Sequence, residues 1–275
     1  MQSYKDNAEI VLALDIGGTS IKSALFQNGK MQRLPQVPTN SDGTADEIKN
    51  ALMTAIAQGG KFDFVVAALP GPFDFSEGRF LMKHKFASVY GKTFEELTGR
   101  CGRFVHDANA FLLGELHFGA AKGRRRVGGI TLGTGLGAAF AVDGKLLKDA
   151  EGSPAENVSL WNRPYRDGIA EDYVSTRRLV RDYPAPNVRS IAEAANAGNA
   201  EARQVFLNYG SDLFALLRFW QPLTPDAIVL GGQIAQSLAL FGEPPNDLPP
   251  ILSAQLGADA ALYGAYAECI ASFKH

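Results

Sequence analysis

The chain carries the same junction twice: an apolar strand, a glycine turn, and then a second strand. The first copy is Ala13-Leu14-Asp15-Ile16-Gly17-Gly18-Thr19-Ser20-Ile21-Lys22. Ile10 to Leu14 is a continuous apolar run, which reads as a buried strand, and Asp15 sits at its end. Gly17 and Gly18 allow a tight turn, because glycine reaches backbone conformations closed to other residues. Their N–H groups are unshielded by side chains, and Thr19 adds a hydroxyl. Such a turn can cradle phosphate oxygens. Ser20 to Phe26 is again strand-like, and Asn28-Gly29 is a hairpin signal. The second copy is Ile130-Thr131-Leu132-Gly133-Thr134-Gly135-Leu136-Gly137. It leads into the strand-like Ala138 to Val142 and the turn Asp143-Gly144. Sliding one copy on the other pairs Gly18-Thr19 with Gly133-Thr134, and Gly29-Lys30 with Gly144-Lys145. The repeat predicts a duplicated α/β architecture in which each half offers one phosphate turn to a shared cleft. It also excludes two familiar readings. A Walker loop and a dinucleotide-binding fingerprint both need a helix after the glycines, so the Gly133 to Gly137 spacing does not indicate an NAD-dependent oxidoreductase.

The 275 residues suffice for two domains. A formal net charge of −2 gives no footprint for nucleic acid or an anionic membrane. The one basic run, Lys122 with Arg124 to Arg126, reads as a solvated loop. Cys101 and Cys269 make neither a disulfide framework nor a metal spacing, which fits a reducing cytoplasm. No apolar run reaches the ~18 residues of a membrane span, and the polar start of the chain lacks signal-peptide features.

In chain order, Thr44-Ala45-Asp46-Glu47 is a capping box. It opens a helix with Ile48, Ala51, Leu52, Ala55 and Ile56 on one face, ended by Gly59-Gly60. Phe62 to Leu69 is a strand stopped by Pro70-Gly71-Pro72. Phe73 to Ser88 is loop-rich, and Thr93 to Leu97 is a short helix. Arg103 to His106 is a strand with Asp107 just past its end, and Ala108 to Phe118 is a helix. Asp107 is therefore either that helix's N-cap or a group presented at a strand end. Ala150 to Trp161 is a polar loop containing Glu156. Helices are expected over Ile169 to Tyr183, Ser190 to Ala197 and Ala200 to Trp220, the last with an aromatic stripe read as core. Ala227 to Leu230 is a strand, Gly231-Gly232 leads into a helix, Phe241 to Pro250 is a proline-rich loop, and Ala258 to Phe273 is a closing helix.

On these residues the chain resembles the ROK family of sugar kinases (repressor, open reading frame, kinase), within the actin-like, Hsp70-like and hexokinase-like ATPases. Asp15-Ile16-Gly17-Gly18-Thr19 is similar to the family's first phosphate motif, and Leu132 to Gly137 to its second. His106-Asp107-Ala108-Asn109-Ala110 is similar to the segment bearing the catalytic aspartate, and Leu230-Gly231-Gly232 to the adenosine turn. Ala197 to Ala202 and Leu256 to Ala265 match as well. The resemblance implies an α/β, two-domain actin-like (ribonuclease H-like) fold. Its smaller N-terminal domain would take residues 1–109 and 258–275, and the larger domain 110–257. It implies a cytoplasmic ATP- and Mg2+-dependent sugar kinase, homodimeric, with a small sugar as partner and neither nucleic acid nor membrane.

The resemblance also assigns residues. Asp107 is the general base. Asp15, Gly17, Gly18, Thr19, Lys22, Gly133, Thr134, Gly135, Gly231 and Gly232 bind ATP, with Asp15 positioning Mg2+ through water. Pro70, Gly71, His106, Asp107, Glu156, Ser159 and Glu171 bind the sugar; apart from the resemblance, both glutamates could be plain surface charge. Three positions depart from the family pattern. His106 stands where Asn precedes the catalytic Asp, and Ser159 stands where a His is usual. Trp161, Arg163, Pro164, Tyr165 and Arg166 fill a loop that is usually cysteine-rich, so no zinc site is expected. These departures imply that glucose is not the best substrate. They also keep open a non-catalytic sugar sensor or pseudokinase of the same fold. A repressor is not expected, because few residues precede the first strand.

Overall fold

The computed structural model describes residues 9–271. The polar N-terminal stretch and the last two residues of the expected closing helix lie outside the described residues. The described chain forms two compact units. One holds residues 9–114, Ala150–Ser153 and 261–271; the other holds Glu115–Asp149 and Pro154–Ala260.

The first unit begins with strands β1 (Val11–Ile16), β2 (Ser20–Gln27), β3 (Lys30–Arg33) and β4 (Val37–Pro38), followed by helix α1 (Ala45–Gln58). Next come β5 (Phe64–Leu69), the hairpin β6 (Phe73–Asp74) and β7 (Arg79–Phe80), α2 (Phe94–Thr98) and β8 (Arg103–His106). α3 (Asp107–Phe118) starts in this unit and ends in the second. The second unit continues with β9 (Arg126–Leu132), β10 (Leu136–Val142) and β11 (Lys145–Leu146). It adds the hairpin β12 (Pro164–Tyr165) and β13 (Gly168–Ile169), then α4 (Ala170–Tyr173), α5 (Thr176–Asp182), α6 (Val188–Asn196) and α7 (Ala200–Leu217). β14 (Ala227–Gly231) and β15 (Ile251–Ser253) complete its sheet, and α8 (Ala260–Ala271) returns to the first unit.

The two main sheets have one plan. The first runs β3-β2-β1-β5-β8, with β4 beside β2; the second runs β11-β10-β9-β14-β15. In each, the leading three strands are antiparallel and the last two add in parallel. The hairpin turns match too. Asn28 and Gly29 have φ of 52° and 72°, and Asp143 and Gly144 have 50° and 77°. Two successive positive φ values make the turn whose twist suits a two-residue hairpin.

Each sheet has its own core. In the first unit Leu12, Leu14 and Ile16 meet Ile48, Leu52 and Ala55 of α1 and a cluster of phenylalanines, among them Phe73, Phe80, Phe86 and Phe94. The expected box caps α1, Thr44 accepting from Glu47 N–H and Glu47 from Thr44 N–H. α8 lays Tyr266 flat on Phe26, ring centroids 4.4 Å apart. In the second unit the aromatic stripe of α7 and of the 3-10 turn after it is core: Phe206, Tyr209 and Leu213 of α7, with Trp220 just beyond it, pack with β9, β10 and β14.

Three local expectations change. The single helix over Ile169 to Tyr183 is instead the end of β13, then α4 and α5, broken at Val174 and Ser175. The break lets the Thr176 N–H and hydroxyl both donate to the Gly133 carbonyl, each at 2.9 Å. The helix after Gly232 is a 3-10 segment, Ile234–Leu240, with non-helical backbone at Ser237. The long helix closes as α at Leu217 and continues as 3-10 through Leu223, with Pro222 inside that segment. β15 and the β12–β13 hairpin, only two or three residues per strand, carry too few side chains for a legible alternation.

Candidate functional site

β1 and β2 are in register so that Asp15 stands directly opposite Lys22. Lys22 Nζ donates to Asp15 Oδ2 at 3.0 Å. Burial pushes the Asp15 carboxyl up from its ordinary range; Lys22 opposes that shift, and the charge of Asp107 adds to it. The Asp107 carboxylate is thus near enough for its charge to bear on Asp15, and both belong to the first unit.

The turn between β1 and β2 is closed by the Gly17 N–H, which donates to the Ser20 carbonyl at 3.0 Å. The N–H groups of Gly18 and Thr19 donate to no acceptor among the described residues. The second turn repeats this arrangement. Gly133 N–H donates to the Gly135 carbonyl at 3.1 Å, and the N–H groups of Thr134 and Gly135 have no acceptor among the described residues. Paired unclaimed donors on a side-chain-free turn are what an anionic phosphate needs. Asp15 retains its Oδ1, a hard oxygen donor suited to hydrated Mg2+. The residues present therefore fit both groups.

Asp107 leaves β8 as the first residue of α3. Its Oδ1 accepts from the N–H of Ala108 at 2.7 Å, the adjacent residue, and not from a group further into the helix. The carboxylate is half-buried, and His106 Nδ1 lies 3.1 Å from the same oxygen. His106 Nε2 faces Gly71, where a Cβ would stand 3.4 Å away. β5 and β8 pair in parallel with Leu69 opposite His106, which sets Pro70 and Gly71 beside it. Asn109, fully buried, donates from Nδ2 to the Gly152 carbonyl at 3.1 Å and steadies the first turn of α3.

In the second unit Glu156 is exposed, and its carboxylate has no partner among the described residues. Its main chain, with that of Ser159, is gripped by Arg163. The guanidinium donates to the Glu156 carbonyl at 2.9 Å and the Ser159 carbonyl at 3.0 Å. Trp220 Nε1 adds a bond to the Val158 carbonyl at 2.9 Å. Glu171 lies on the second glycine turn. Its Oε2 accepts from the Leu136 N–H at 3.0 Å, its Oε1 is 3.4 Å from Arg177, and a side chain at Gly135 would collide with it. Gly232 has φ of 88°, and a Cβ there would collide with the Leu132 carbonyl. Its glycine thus serves the approach of β14's end to β9, whatever ligand it meets. Gly231 closes β14 opposite Thr131.

The loop without cysteines is held by side chains. Tyr165 donates to Asp212 at 2.9 Å, Arg166 pairs with the same carboxylate, and Arg178 Nη1 is 3.4 Å from it. Among the described residues no three His, Cys, Asp or Glu side chains are grouped to hold a metal ion. No described helix is long and apolar enough to cross a membrane.

One residue at the first turn escaped the sequence reading. Lys85 runs its Cδ and Cε to within 3.4 Å of where a Gly18 Cβ would stand, and Ser41 Oγ is 3.3 Å from the same point. Both come from loops with no motif, so the sequence offered no signal for either.

The ROK family model matches residues 11–267. The bifunctional enzyme NanE/NanK of Brucella melitensis is 27% identical over 279 residues, covering 92% of this chain and 52% of that enzyme. The chain therefore spans about half the length of the first curated relatives it matches. The N-acetyl-D-glucosamine kinase of Vibrio atlanticus is 26% identical over 86% of this chain and 89% of that protein. Among solved structures, the ROK family glucokinase from Streptomyces griseus, in complex with glucose and AMPPNP, is 25% identical. It covers 94% of this chain and 98% of that one, with a TM-score of 0.76.

Proposed function

The chain belongs to the ROK family, and on that premise we propose that it is an ATP-dependent kinase for a hexose or an N-acylated hexosamine. The observation that carries this reading is the pairing of Asp107 with Asp15. A carboxylate at the head of α3 lies within electrostatic reach of one at the foot of a phosphate turn whose N–H groups are unclaimed. A relative's structure holds an ATP analogue together with a sugar, which supports the same assignment.

When bound, ATP supplies the phosphoryl group: a sugar oxygen bonds to the γ-phosphorus as the bond to ADP breaks, ADP keeps the electron pair, and Mg2+ neutralises charge. Every other task falls to the chain. Gly18 and Thr19 of the first turn, and Thr134 and Gly135 of the second, are the N–H donors offered to phosphate oxygens. Asp15 would hold the hydrated cation, with Lys22 fixing the Asp15 carboxylate. Asp107 takes the proton of the attacking hydroxyl; positioning and charge neutralisation dominate this reaction, and the base contributes a further factor. His106 Nε2, the Glu156 carboxylate, the Ser159 hydroxyl and Glu171 Oε1 are the groups available to sugar hydroxyls. Because His106 Nδ1 accepts from the Ala108 N–H and lies against Asp107 Oδ1, the ring offers a sugar only Nε2, where Asn would offer a donor and an acceptor. A site built for particular hydroxyls rejects sugars that cannot pair with it, so glucose is not the best substrate. The reading carries with it a cytoplasmic, homodimeric protein without nucleic-acid or membrane partners, on family grounds alone.

The test is ADP release over a panel of hexoses and N-acylated hexosamines. A clear maximum in kcat/KM on a sugar other than glucose is expected. A clear maximum on glucose removes the specificity argument, and no turnover on any sugar, with sugar binding intact, replaces the kinase with a sensor.

A further inference from the structure

We propose that Lys85 is a phosphate-binding residue of the first glycine turn, its ammonium neutralising the transferred phosphoryl group. The assignment rests on the kinase reading and adds a residue to it.

Three chain segments are stitched side by side at this turn. The Ser41 N–H donates to the Gly18 carbonyl at 3.3 Å, and the Phe86 N–H donates to the Ser41 carbonyl at 2.7 Å. Phe86 is fully buried and holds a left-handed backbone, φ 55° and ψ 22°. That conformation is strained for a bulky residue and persists only where its surroundings enforce it. Burial of the Phe86 ring on one side and the Ser41 bond on the other do so here. The residue just before it, Lys85, is thereby laid along the turn. Its Cδ and Cε lie 3.3 and 3.4 Å from the position a Gly18 Cβ would occupy, and the ammonium is one bond beyond. Gly18 being a glycine is what leaves room for that stem.

Charge distinguishes the two lysines at the turn. Lys22 is engaged by Asp15 at 3.0 Å. Lys85 has no hydrogen bond, ion pair or ring contact among the described residues. A partly buried lysine laid along a turn with two unclaimed N–H donors is complementary to a phosphate. On the kinase reading the phosphate nearest Asp107 is the terminal one, and the assignment sets the Lys85 ammonium against it. Phosphoryl transfer spreads negative charge over the equatorial oxygens, and a fixed cation there stabilises the transition state more than the ground state.

Lys85→Met keeps the stem and removes the charge, Lys85→Gln repeats the test if the Met variant does not fold, and Lys85→Arg restores a cation. Each is compared with the wild type by thermal melting, by turnover at saturating sugar, and by calorimetric titration with ATP and with ADP. The Met variant should melt like the wild type. It should lose kcat on the order of 10²-fold and bind ATP more weakly while its ADP affinity is unchanged; Arg should recover part of both. Wild-type kcat and an unchanged ATP-to-ADP affinity ratio in the Met variant overturn the assignment and leave the kinase standing. A wild-type chain that binds neither nucleotide overturns the kinase reading, and Lys85's role with it.

Discussion

At the scale of single residues, Asp107 is where geometry and chemistry meet. A helix N-cap accepts from a backbone N–H two or three residues ahead, whereas the Asp107 carboxylate reaches only the neighbouring N–H of Ala108 and His106. One of its oxygens is thus held, and the other has no hydrogen-bond partner among the described residues. Asp107→Asn is isosteric and should lower kcat by about 10²–10⁴-fold while the melting temperature stays within a degree or two of the wild type. Steady-state turnover and a melting curve on the same preparation check this; unchanged turnover removes Asp107 from the mechanism. His106 is placed by the same short strand. Its Nδ1 lies 3.1 Å from the Asp107 carboxylate, so under the proposed function one side chain would serve both sugar recognition and orientation of the base.

At the scale of elements, the segment from Glu156 to Asp182 shows how a loop lacking metal-binding cysteines is kept in place. Arg163 and Trp220 hold its main chain, and Asp212 on α7 gathers Tyr165, Arg166 and Arg178. Asp212 is only 2% exposed, and removing one member of a buried ionic cluster strands its partners. Asp212→Ala should cost about 3 kcal/mol, read by chemical denaturation. A loss below about 0.5 kcal/mol, typical of surface positions, would show the cluster to be ornamental. The capping boxes carry a pH signature. Hydrogen bonds from Thr44 hold the Glu47 carboxyl below its usual range, and those from Thr93 do the same for Glu96. A carboxyl lowered on folding stabilises the protein above its unfolded value and loses that contribution as pH falls through the folded one. The stability gap between the wild type and the Glu47→Gln, Glu96→Gln double variant should therefore be widest at neutral pH. It should close as pH drops below about 4, measured by denaturant melts at a series of pH values; a gap independent of pH would refute it.

At the scale of the whole molecule, both sheets follow one plan, and single buried groups close the chain on itself. Glu115 is fully buried, and its carboxylate accepts from the N–H groups of Ala120, Gln255 and Leu256 at 2.8, 3.1 and 2.9 Å. It joins the end of α3 to the approach to α8, segments about 140 residues apart. Glu115→Ala would bury three unpaired donors and should cost about 3 kcal/mol or more; full stability in a urea melt would refute this. Cys101 is exposed and Cys269 buried, and neither forms a disulfide. Structural zinc carries folding energy where it exists, so a strong zinc chelator should leave the melting temperature unchanged. Stoichiometric zinc in the purified protein, with a chelator-induced drop, would show otherwise.

The sequence by itself determined whatever depends on neighbours along the chain. The two glycine turns, their hairpins, the Thr44–Glu47 box, the buried face of α1 and the aromatic stripe of α7 are all local: a turn's φ values, a cap or a helical period is written in adjacent residues. From the duplicated motif even the common plan of the two sheets could be anticipated. Tertiary structure alone decided the rest. The helix expected over Ile169 to Tyr183 breaks because Thr176 is needed at the Gly133 carbonyl, 43 residues away. Glu171 turns onto Leu136, Gly232 is required by the Leu132 backbone, and Lys85 lies along Gly18. Each is a contact between residues far apart in sequence. Such contacts take their energy from donors, acceptors and space that exist only once the sheets have formed.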